Sequence, residues 1–325
     1  MNNRYPKINL KSKNELAKRL AGKNFDFKDA MDLINDVLEN YNNYWNDNKK
    51  ESKPDKEKYV RSAKGTPLGK LLKLINKKIL APHDTILPDF IFGGVSGRDH
   101  VKAAYYLLGE RKSRTKLGLD ISRFFERNSC ERIFYLFYGK CGCSKKCSQL
   151  LANLCCVPTG PKGSVSNQKT LARGFATSTR LATWSNLDLF LRASWSAKKI
   201  LKGHNIKIAI FIDDIGITAS KVNETTMKRL ANIIKDIFEN HDTNHSLPLN
   251  KDKQNIQRSG SQIVEHLGLR LCRNKITPGK KTKHNQNEIY KQLRAPNLTV
   301  TDKKSLIKTK KSYIRYNTYI KSQKS

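Results

Sequence analysis

The sequence predicts an α+β fold in which helices pack on a small antiparallel sheet. Residues 207–219 hold two apolar, β-branched-rich runs on either side of an acidic pair, Asp213 and Asp214, which predicts a β-hairpin. Residues 116–121 form a second short apolar strand, and Asp120 lies at its end. Apolar residues recur at helical spacing over 181–191 and 230–238, which predicts two helices that cover the sheet.

The acidic residues of these strands suggest a cation site. Two carboxylates on one tight turn repel each other unless a cation lies between them, and Mg²⁺ prefers carboxylates together with waters and phosphates. Asp also favours turns without any ligand, so Asp213 and Asp214 alone leave an ordinary acidic turn open. Asp120 adds a third carboxylate, and two-metal phosphoryl-transfer sites need that arrangement.

The charge of the chain points to a polyanionic partner. Its 325 residues include 63 Lys or Arg against 28 Asp or Glu, a formal net charge of +35. Such a charge steers association with polyanions and neutralises phosphates, so nucleic acid is the expected partner and a polybasic membrane-surface protein the alternative. The sequence holds no run of 18 apolar residues and begins with polar sequence, so we expect no membrane span, no secretory signal and a cytoplasmic location.

Five segments resemble, in order, the polymerase motifs of reverse transcriptases. A further segment, residues 93–99, resembles the Gly-rich stretch that bacterial members carry before motif A. The resemblance covers residues 59–271 and implies an RNA-directed DNA polymerase with a right-hand fold of fingers, palm and thumb, the antiparallel palm sheet being backed by helices. The five segments are 119–125 (motif A), 171–179 (motif B), 211–214 (motif C), 249–253 (motif D) and 266–271 (motif E, the primer grip).

The resemblance implies a catalytic set. Asp120, Asp213 and Asp214 would ligate two Mg²⁺ ions, with Ile121 as a further ligand position and Mn²⁺ as the alternative metal. The ions would activate the primer 3′-hydroxyl and stabilise charge on the phosphates. Lys253 matches the motif D lysine that protonates departing pyrophosphate as a general acid.

The resemblance also implies nucleotide and primer contacts. Phe125 takes the position of the steric gate that excludes a ribose 2′-hydroxyl, and a core Phe beside Phe124 is the alternative. Arg61 would contact the nucleotide triphosphate, with an ordinary surface Arg as the alternative. The remaining implied contacts are Arg173 and Gly174 at the nucleotide and Leu267 and Gly268 at the primer grip.

Motif B departs from the family pattern at several positions. In bacterial reverse transcriptases, the positions that match 172, 173, 175, 176 and 179 are commonly Pro, Gln, Ala, Pro and Pro. Arg173 in place of a neutral amide adds a phosphate-seeking cation, and the change bears on template use rather than on the metal site. The departing residues are Ala172, Arg173, Phe175, Ala176 and Thr179.

The organisation along the chain is predicted in three parts. Residues 1–58 form an N-terminal helical region, helical over 14–45, followed by a polar linker. Residues 59–272 form fingers and palm, and residues 273–325 form a basic thumb-like region. The last 55 residues carry 15 Lys or Arg and 2 acidic residues. A basic helix over 303–319 is expected to lie on a duplex as a thumb, and a frayed basic tail is the alternative.

The branch of the family follows from what the sequence lacks. It shows no maturase or nuclease signature, and it departs from retron enzymes before motif E, so we expect a retron-like, phage-defence-associated enzyme. The expected partners are an RNA template, in particular a cognate non-coding RNA, with dNTPs, the DNA product, and a defence effector or a second copy. Template-independent or protein-primed synthesis and a non-catalytic RNA-binding scaffold are the alternatives.

The seven cysteines have no place in this catalytic prediction. Five of them cluster within residues 141–156, in a C-x-C-x₃-C pattern followed by an adjacent pair, and no His lies nearby. Without a secretion signal we expect reduced thiols. We interpret the cluster as buried small hydrophobes, with a zinc site as the alternative.

Overall fold

The computed structural model describes residues 5–109, 114–242, 244–258, 263–272, 275–295 and 298–323, which form a mixed α/β structure with antiparallel sheets. The helices are α1 (Lys13–Leu20), α2 (Phe27–Asn40), α3 (Pro67–Leu74), α4 (His100–Leu108), α5 (Cys130–Tyr135), α6 (Lys145–Cys155), α7 (Ser178–Ser185), α8 (Leu187–Ile200), α9 (Glu224–Asn240), α10 (Lys280–Gln292) and α11 (Val300–Ser322). The strands are β1 (Asn46–Asp47), β2 (Arg61–Ser62), β3 (Arg114–Asp120), β4 (Cys156–Pro158), β5 (Lys169–Leu171), β6 (Lys207–Phe211), β7 (Asp214–Ser220), β8 (Asn255–Arg258), β9 (Val264–His266), β10 (Leu269–Leu271) and β11 (Ile276–Pro278).

The chain divides into two compact units. The first unit comprises Met1–Gly97, Ile121–Leu191 and Phe238–Pro248, and the second comprises Arg98–Asp120, Arg192–Ile237 and Leu249–Ser325. The predicted boundaries at residues 58 and 272 stay predictions.

The N-terminal part of the first unit is helical, as predicted, but it is broken into two helices. Helix α1 begins at Ser12, whose hydroxyl accepts from the amide of Glu15. Helix α2 begins at Asp26, where a reciprocal capping box with Asp29 satisfies two amides that would otherwise lack partners. The prediction of one helical stretch over 14–45 is therefore wrong around residues 21–26, because the capping box starts a new helix there.

The predicted polar linker contains a strand. Residues Asn46–Asp47 pair antiparallel with Arg61–Ser62, and the segment between them makes a turn at Pro54–Lys56. The helix predicted over 181–191 is two helices, because α7 ends at Ser185 and α8 begins at Leu187. Helix α3 continues as one wider π-helical stretch to Leu80, and α5 is capped by Ser129 and continues to Lys140.

The second unit contains the predicted antiparallel sheet, with strand order β6–β7–β3–β8. The hairpin over 207–219 is confirmed, because β6 and β7 pair directly on either side of a two-residue turn. Helix α4 packs on this sheet, and the hydroxyl of Thr218 in β7 donates to the carbonyl of Leu107 at 2.7 Å. Gly216 lies under the same helix, since a Cβ atom there would lie within 3.0 Å of Leu107 and His266 side-chain atoms.

A second antiparallel sheet, β11–β10–β9, follows in the same unit. Strands β9 and β10 form the hairpin predicted for motif E, and its turn residues Leu267 and Gly268 both have positive φ, at 53° and 73°. Positive φ at both central positions is typical of a type I′ turn, whose twist matches that of the strands.

The basic C-terminal region is helical. The predicted helix over 303–319 lies within α11, so the alternative of a frayed tail is wrong for residues 300–322. Helix α11 contacts α10 and β11. Its last turns are anchored on α4, where Tyr319 donates to the Asp99 carboxylate and Tyr105 donates to the carbonyl of Ile320 at 2.8 Å. Asp99 also caps α4 by accepting from the amide of Lys102 at 2.9 Å.

Candidate active site

Two of the predicted carboxylates face each other across neighbouring strands. Asp120 is the last residue of β3 and Asp214 the first of β7, and the two are directly paired in register. Phe211, the last residue of β6, is paired with Asp214 on its other side. Directly opposed residues point to the same face and have Cβ atoms about 4.5–5.5 Å apart. The sheet therefore carries Asp120, Asp214 and Phe211 in one row, which we call the carboxylate row.

The third carboxylate lies in a strained turn beside this row. The turn between β6 and β7 consists of Ile212 and Asp213, and Ile212 has a φ of 63°. A β-branched residue in this region costs on the order of 1–3 kcal/mol, and such strain clusters at functional sites. Glycine would adopt this positive φ without steric cost, whereas isoleucine does not. The pairing of β6 with β7 on both sides of the turn holds Ile212 in this conformation.

A lysine from the predicted motif D reaches the row. Lys253 lies in the short 3₁₀ turn Lys251–Lys253, and its Nζ donates to Asp120 Oδ1 at 2.8 Å. Partial burial alone would lower the pKa of Lys253, but the hydrogen bond to Asp120 and the nearby carboxylate charges raise it above its ordinary value. Lys253 is therefore protonated and largely exposed, and its hydrogen bond to Asp120 places its positive charge beside the row.

The row is nonetheless short of positive charge. Burial, followed by the charges of Asp213 and Asp120, raises the pKa of Asp214 to about 7, although Lys253 and Lys116 act in the opposite direction. A carboxyl with this pKa is not stably ionised beside its neighbours at neutral pH. A further cation at Asp214 would remove the repulsion.

A buried lysine that the sequence reasoning missed connects this sheet to the motif E hairpin. Lys116 in β3 is 3 % exposed, and its Nζ donates to the carbonyl of Glu265 in β9 at 2.6 Å and to Asn255 Oδ1 in β8 at 3.3 Å. Burial lowers its pKa to about 8, while the charges of Asp214 and Glu265 oppose that shift. Its only sequence signal was a charged residue inside an otherwise apolar strand.

The same network extends to the primer-grip prediction. The Glu265 carboxylate accepts from the amide of Lys280 at the start of α10, at 2.9 Å, and the amide of Gly279 donates to the carbonyl of Gly268 at 2.8 Å. Leu267, which is half-buried, and Gly268, which is exposed, thus form the tip of a hairpin that is tied to β3 on one side and to α10 on the other.

A second contact that the sequence did not predict joins α11 to the row. The ring of His100, at the start of α4, lies 6.2 Å from that of Phe211 and is stacked on Tyr316 at 5.8 Å between centroids. The Tyr316 hydroxyl and His100 Nε2 are 2.9 Å apart. The basic C-terminal helix therefore packs, through one histidine, on the residue that precedes the Ile212–Asp213 turn.

The four predicted nucleotide contacts and Ile121 lie in the first unit. Arg61 and the motif B turn are adjacent, because the amide of Arg61 donates to the carbonyl of Arg173 at 2.7 Å. Gly174 has a φ of 100°, and a Cβ atom there would collide with the carbonyl oxygen of Arg61. Phe125 is 8 % exposed, and the Arg173 guanidinium lies 4.8 Å from its ring centroid. The structure therefore brings Arg61, Phe125, Arg173 and Gly174 together.

A cavity of about 540 Å³ adjoins this group. The wall includes two glutamates and four arginines, which are Arg61, Arg123, Arg127 and Arg173. We call it the arginine cavity.

Three of its arginines are already paired within the protein. Arg61 is 4 % exposed and its guanidinium donates to the Asp47 carboxylate and to the carbonyl of Gly160. Arg173 makes two hydrogen bonds to Glu126, at 2.9 and 3.0 Å. Arg123 pairs with Glu57 at 2.7 Å on the surface. An anionic ligand would have to compete with these internal partners.

The donor set of the carboxylate row fits a divalent cation of the Mg²⁺ type. Mg²⁺ is usually held by one or two carboxylates with waters and substrate phosphates, and Asp120 and Asp214 supply two facing carboxylates. Among the residues that the structure describes, no group of three or more His, Cys, Asp or Glu is placed to hold one metal ion. The three-carboxylate centre predicted from the sequence is therefore not pre-assembled, and Lys253 holds one of its members.

The predicted burial of the cysteine cluster is confirmed. Burial raises the pKa of several of these thiols, and that of Cys147 reaches about 12. The buried cysteines are Cys141, Cys143, Cys147, Cys155 and Cys156.

Comparisons with known proteins leave the family open. No protein-family model and no curated protein matches the chain. Among solved structures, it is similar to the telomerase from Candida albicans in complex with a TWJ fragment of telomeric RNA, with 12% identity and a TM-score of 0.42. The match covers 79% of this chain and 48% of that one, so the chain spans about half the length of that structure. A TM-score below 0.5 establishes no shared fold, and the function is inferred below from this chain's own residues.

Over the described ranges, no helix has the length and apolar character that crossing a membrane requires.

Proposed function

We propose that the protein is an RNA-directed DNA polymerase whose active site is the carboxylate row with Asp213 and Lys253. The observation that carries the proposal is the direct pairing of Asp120 with Asp214 at the ends of adjacent strands, beside an acidic turn and within reach of a motif D lysine. The order of the five motif-like segments and the net charge of +35 support a nucleic acid substrate.

In this proposal Asp120, Asp213 and Asp214 hold two Mg²⁺ ions, with Ile121 as a further ligand position. The chemistry that Mg²⁺ supplies at such a site is activation of the attacking hydroxyl and stabilisation of charge on the phosphates. Binding would require Lys253 to release Asp120, because the two side chains form an ion pair. A lysine side chain is protonated at neutral pH, so Lys253, once released from Asp120, would be able to donate a proton to the departing pyrophosphate.

Arg61, Phe125, Arg173 and Gly174 would supply the nucleotide contacts. Gly174 lets the motif B turn approach Arg61 closely, and Arg173 holds the ring of Phe125 by cation–π stacking. In this proposal Phe125 limits the space at the sugar, and Arg173 exchanges Glu126 for a phosphate. Leu267 and Gly268 would contact the primer strand, and α11 would lie along the duplex backbone.

We further propose that the template is a dedicated non-coding RNA and that synthesis serves bacterial defence against phage. Both points rest on the resemblance to retron-like enzymes and on the altered motif B, which favours a restricted template.

A second candidate function is RNA binding without catalysis. The observation that favours it is the Lys253–Asp120 ion pair, which occupies a carboxylate that a metal would need. The two functions differ in one measurable outcome, which is whether deoxynucleotides are incorporated.

The experiment is primer extension with the full-length protein, an RNA template with a DNA primer, dNTPs and Mg²⁺. We expect extension by the wild type and none by the Asp213→Ala, Asp214→Ala double variant. Asp252→Ala is the matched control, because Asp252 is an exposed acid beside Lys253 and should leave extension unchanged. Extension by the double variant at the wild-type rate would refute the site. Equal addition without RNA would favour template-independent synthesis, and no addition by any variant would favour the RNA-binding scaffold.

A further inference from the structure

A tryptophan of the second unit lies in water and is not used by the proposed polymerase chemistry. Trp195 in α8 is 65 % exposed. Small residues occupy the inward side of the same helix segment, where Ala193, Ser194 and Ala197 are buried. The helical period therefore places Trp195 on the outward side, away from the core. Because tryptophan is highly buried on average and is enriched where proteins bind partners, an indole ring left in water is typical of a contact surface.

This ring lies within a stripe of exposed cations. Residues 192–202 hold four Lys or Arg and no Asp or Glu. Arg192 comes three residues before Trp195 and Lys199 four residues after it, so both share its side of the helix. Lys199 Nζ lies 5.3 Å from the centroid of the ring, and the ring keeps its exposure with this cation–π contact in place. The four cations, all exposed, are Arg192, Lys198, Lys199 and Lys202.

An open groove of about 700 Å³ adjoins the stripe. Ser196, the residue after Trp195, lines it from α8, and its other described lining residues come from α9. Ile233 and Ile237 contribute half-buried apolar surface, and Arg229 contributes an exposed guanidinium. The stripe and the groove together form what we call the Trp195 surface.

The acids of this surface do not cancel its positive charge. Of the described residues that line the groove, Lys228 and Arg229 are cationic and Asp236 is acidic. Lys228 is paired with Glu224 at 2.8 Å, but both side chains are largely exposed. Such a surface pair is weak, so a phosphate can take the place of Glu224. The Trp195 surface is therefore complementary to a polyanion.

The charge around the ring favours nucleic acid over the other partners that cover exposed aromatic rings. Proteins that hold single strands combine a basic groove with aromatic rings on which bases stack. A protein interface is instead depleted of charged residues around its buried aromatic anchors. A helix that lies on a membrane needs a continuous apolar side. The neighbours of Trp195 are Arg192, Ser196 and Lys199, which fit the first of these three cases.

We propose that the Trp195 surface binds single-stranded RNA, with an unpaired base stacked on the indole ring and the flanking phosphates on the surrounding cations. Lys199, already beside the ring, neutralises the phosphate next to the stacked base. Both candidate functions bring RNA to this chain, so the assignment of the strand rests on that proposed partner and not on catalysis. The Trp195 surface shares no residue with the carboxylate row or the arginine cavity, and it is a separate RNA contact.

The tryptophans of the chain give a direct readout. Two of the three, Trp45 and Trp184, are 3 % and 0 % exposed, so the emission that the neutral quencher acrylamide reaches is that of Trp195. The full-length protein is titrated with a single-stranded RNA of about ten nucleotides. We expect saturable quenching of this emission and its protection from acrylamide. The same RNA annealed to its complement should change the emission little, because paired bases stack on each other and not on the ring.

Substitutions at the ring separate stacking from charge. Trp195→Ala should weaken the binding of a labelled strand of the same RNA, measured by fluorescence anisotropy, by about 5- to 150-fold, which corresponds to the loss of one base–aromatic stack. Trp195→Phe keeps an aromatic face and should recover most of that affinity. Tyr135→Ala is the matched control and should leave the affinity unchanged, since Tyr135 in α5 is 56 % exposed and is not part of the Trp195 surface.

Four results would overturn the proposal. Saturation in anisotropy without a change in Trp195 emission would place the RNA elsewhere on the protein, and equal quenching by single-stranded and duplex RNA would mean that no base stacks on the ring. Tighter binding of the DNA strand of the same sequence, or a blue shift on anionic phospholipid vesicles without any response to RNA, would assign the surface to a different partner. Absence of primer extension bears on the polymerase assignment alone, so the two failures are distinguishable.

Discussion

The carboxylate row and the arginine cavity each bring like charges together, and they differ in how far the protein itself neutralises those charges. In the second unit, Asp120 and Asp214 face each other with Lys253 as a partly exposed counter-charge, and the pKa of Asp214 is raised. In the first unit, Arg61 and Arg173 are each matched by a carboxylate of the protein. The row is therefore short of positive charge, whereas three of the four cavity arginines already have a carboxylate partner within the protein. A cation should stabilise the first, and removal of an internal partner should damage the second.

The largest expected effect is at Arg61. Arg61→Ala removes a buried guanidinium and leaves Asp47 without its partner, so we expect a loss of about 3 kcal/mol in the free energy of unfolding. Arg123→Ala is the control, since its pair with Glu57 is exposed and surface pairs contribute about 0–1 kcal/mol. Urea unfolding of the two variants measures both values. Equal losses would mean that the buried Arg61–Asp47 pair stabilises the protein no more than the exposed Arg123–Glu57 pair does.

Removal of a charge from the carboxylate row should instead increase the stability of the protein. Asp214→Asn removes one charge from a repelling group, so without divalent cations we expect the free energy of unfolding to rise by about 2 kcal/mol at pH 8, discounted from the full pKa shift for partial solvent access. Asp252→Asn, at an exposed acid, should change it little. Destabilisation by Asp214→Asn would contradict the electrostatic interpretation of the row.

Each unit also buries one histidine that must stay neutral. Burial, followed by the charge of Arg132, lowers the pKa of His245 to about 4, and burial with Lys116 lowers that of His266 to about 3. Because both folded-state values lie below the unfolded value of about 6.5, stability is complete above that pH and is lost as the pH falls toward the folded values.

We expect each histidine to account for about 2 kcal/mol of the stability lost between pH 7 and pH 5. His245→Gln and His266→Gln should each flatten the pH dependence of urea unfolding over that interval, whatever they do to stability at pH 7. An unchanged slope in both variants would show that these rings are not the acid-labile groups.

The smallest effect concerns α11 and nucleic acid. Replacing the exposed Lys303, Lys304 and Lys311 by Gln should flatten the salt dependence of RNA binding, by about 0.7–0.9 in log–log slope for each phosphate that is no longer neutralised. Tyr316 and the anchoring contacts of the helix are untouched by these changes. The same replacements at the exposed Lys49, Lys50 and Lys53 should alter the slope less. Equal slopes in the two triple variants would remove α11 from the RNA-binding surface.

Most of what could be predicted from the sequence is structure that is set locally, although one local signal was missed. The hairpin around Asp213 and Asp214 follows from two β-branched runs and a turn, whereas the hairpin with Leu267 and Gly268 was predicted only from the resemblance to motif E. The break before α2 was missed although its capping signal at Asp26 and Asp29 is local.

Long-range partners were beyond the sequence. The pairing of Arg61 with Asp47 depends on a strand inside an apparently polar linker, and the contacts of Lys116 with Glu265 and of His100 with Tyr316 join residues 149 and 216 positions apart. No periodicity encodes such contacts, because they arise only when the sheet and the helices pack.

The claim that the carboxylate row is a cation site is tested most directly by Mn²⁺ binding, measured by electron paramagnetic resonance on the full-length protein. We expect saturable binding of at least one Mn²⁺, competed by Mg²⁺, in the wild type and in Asp252→Ala. That binding should disappear in the Asp213→Ala, Asp214→Ala double variant. The same affinity and stoichiometry in the wild type and the double variant would contradict the claim.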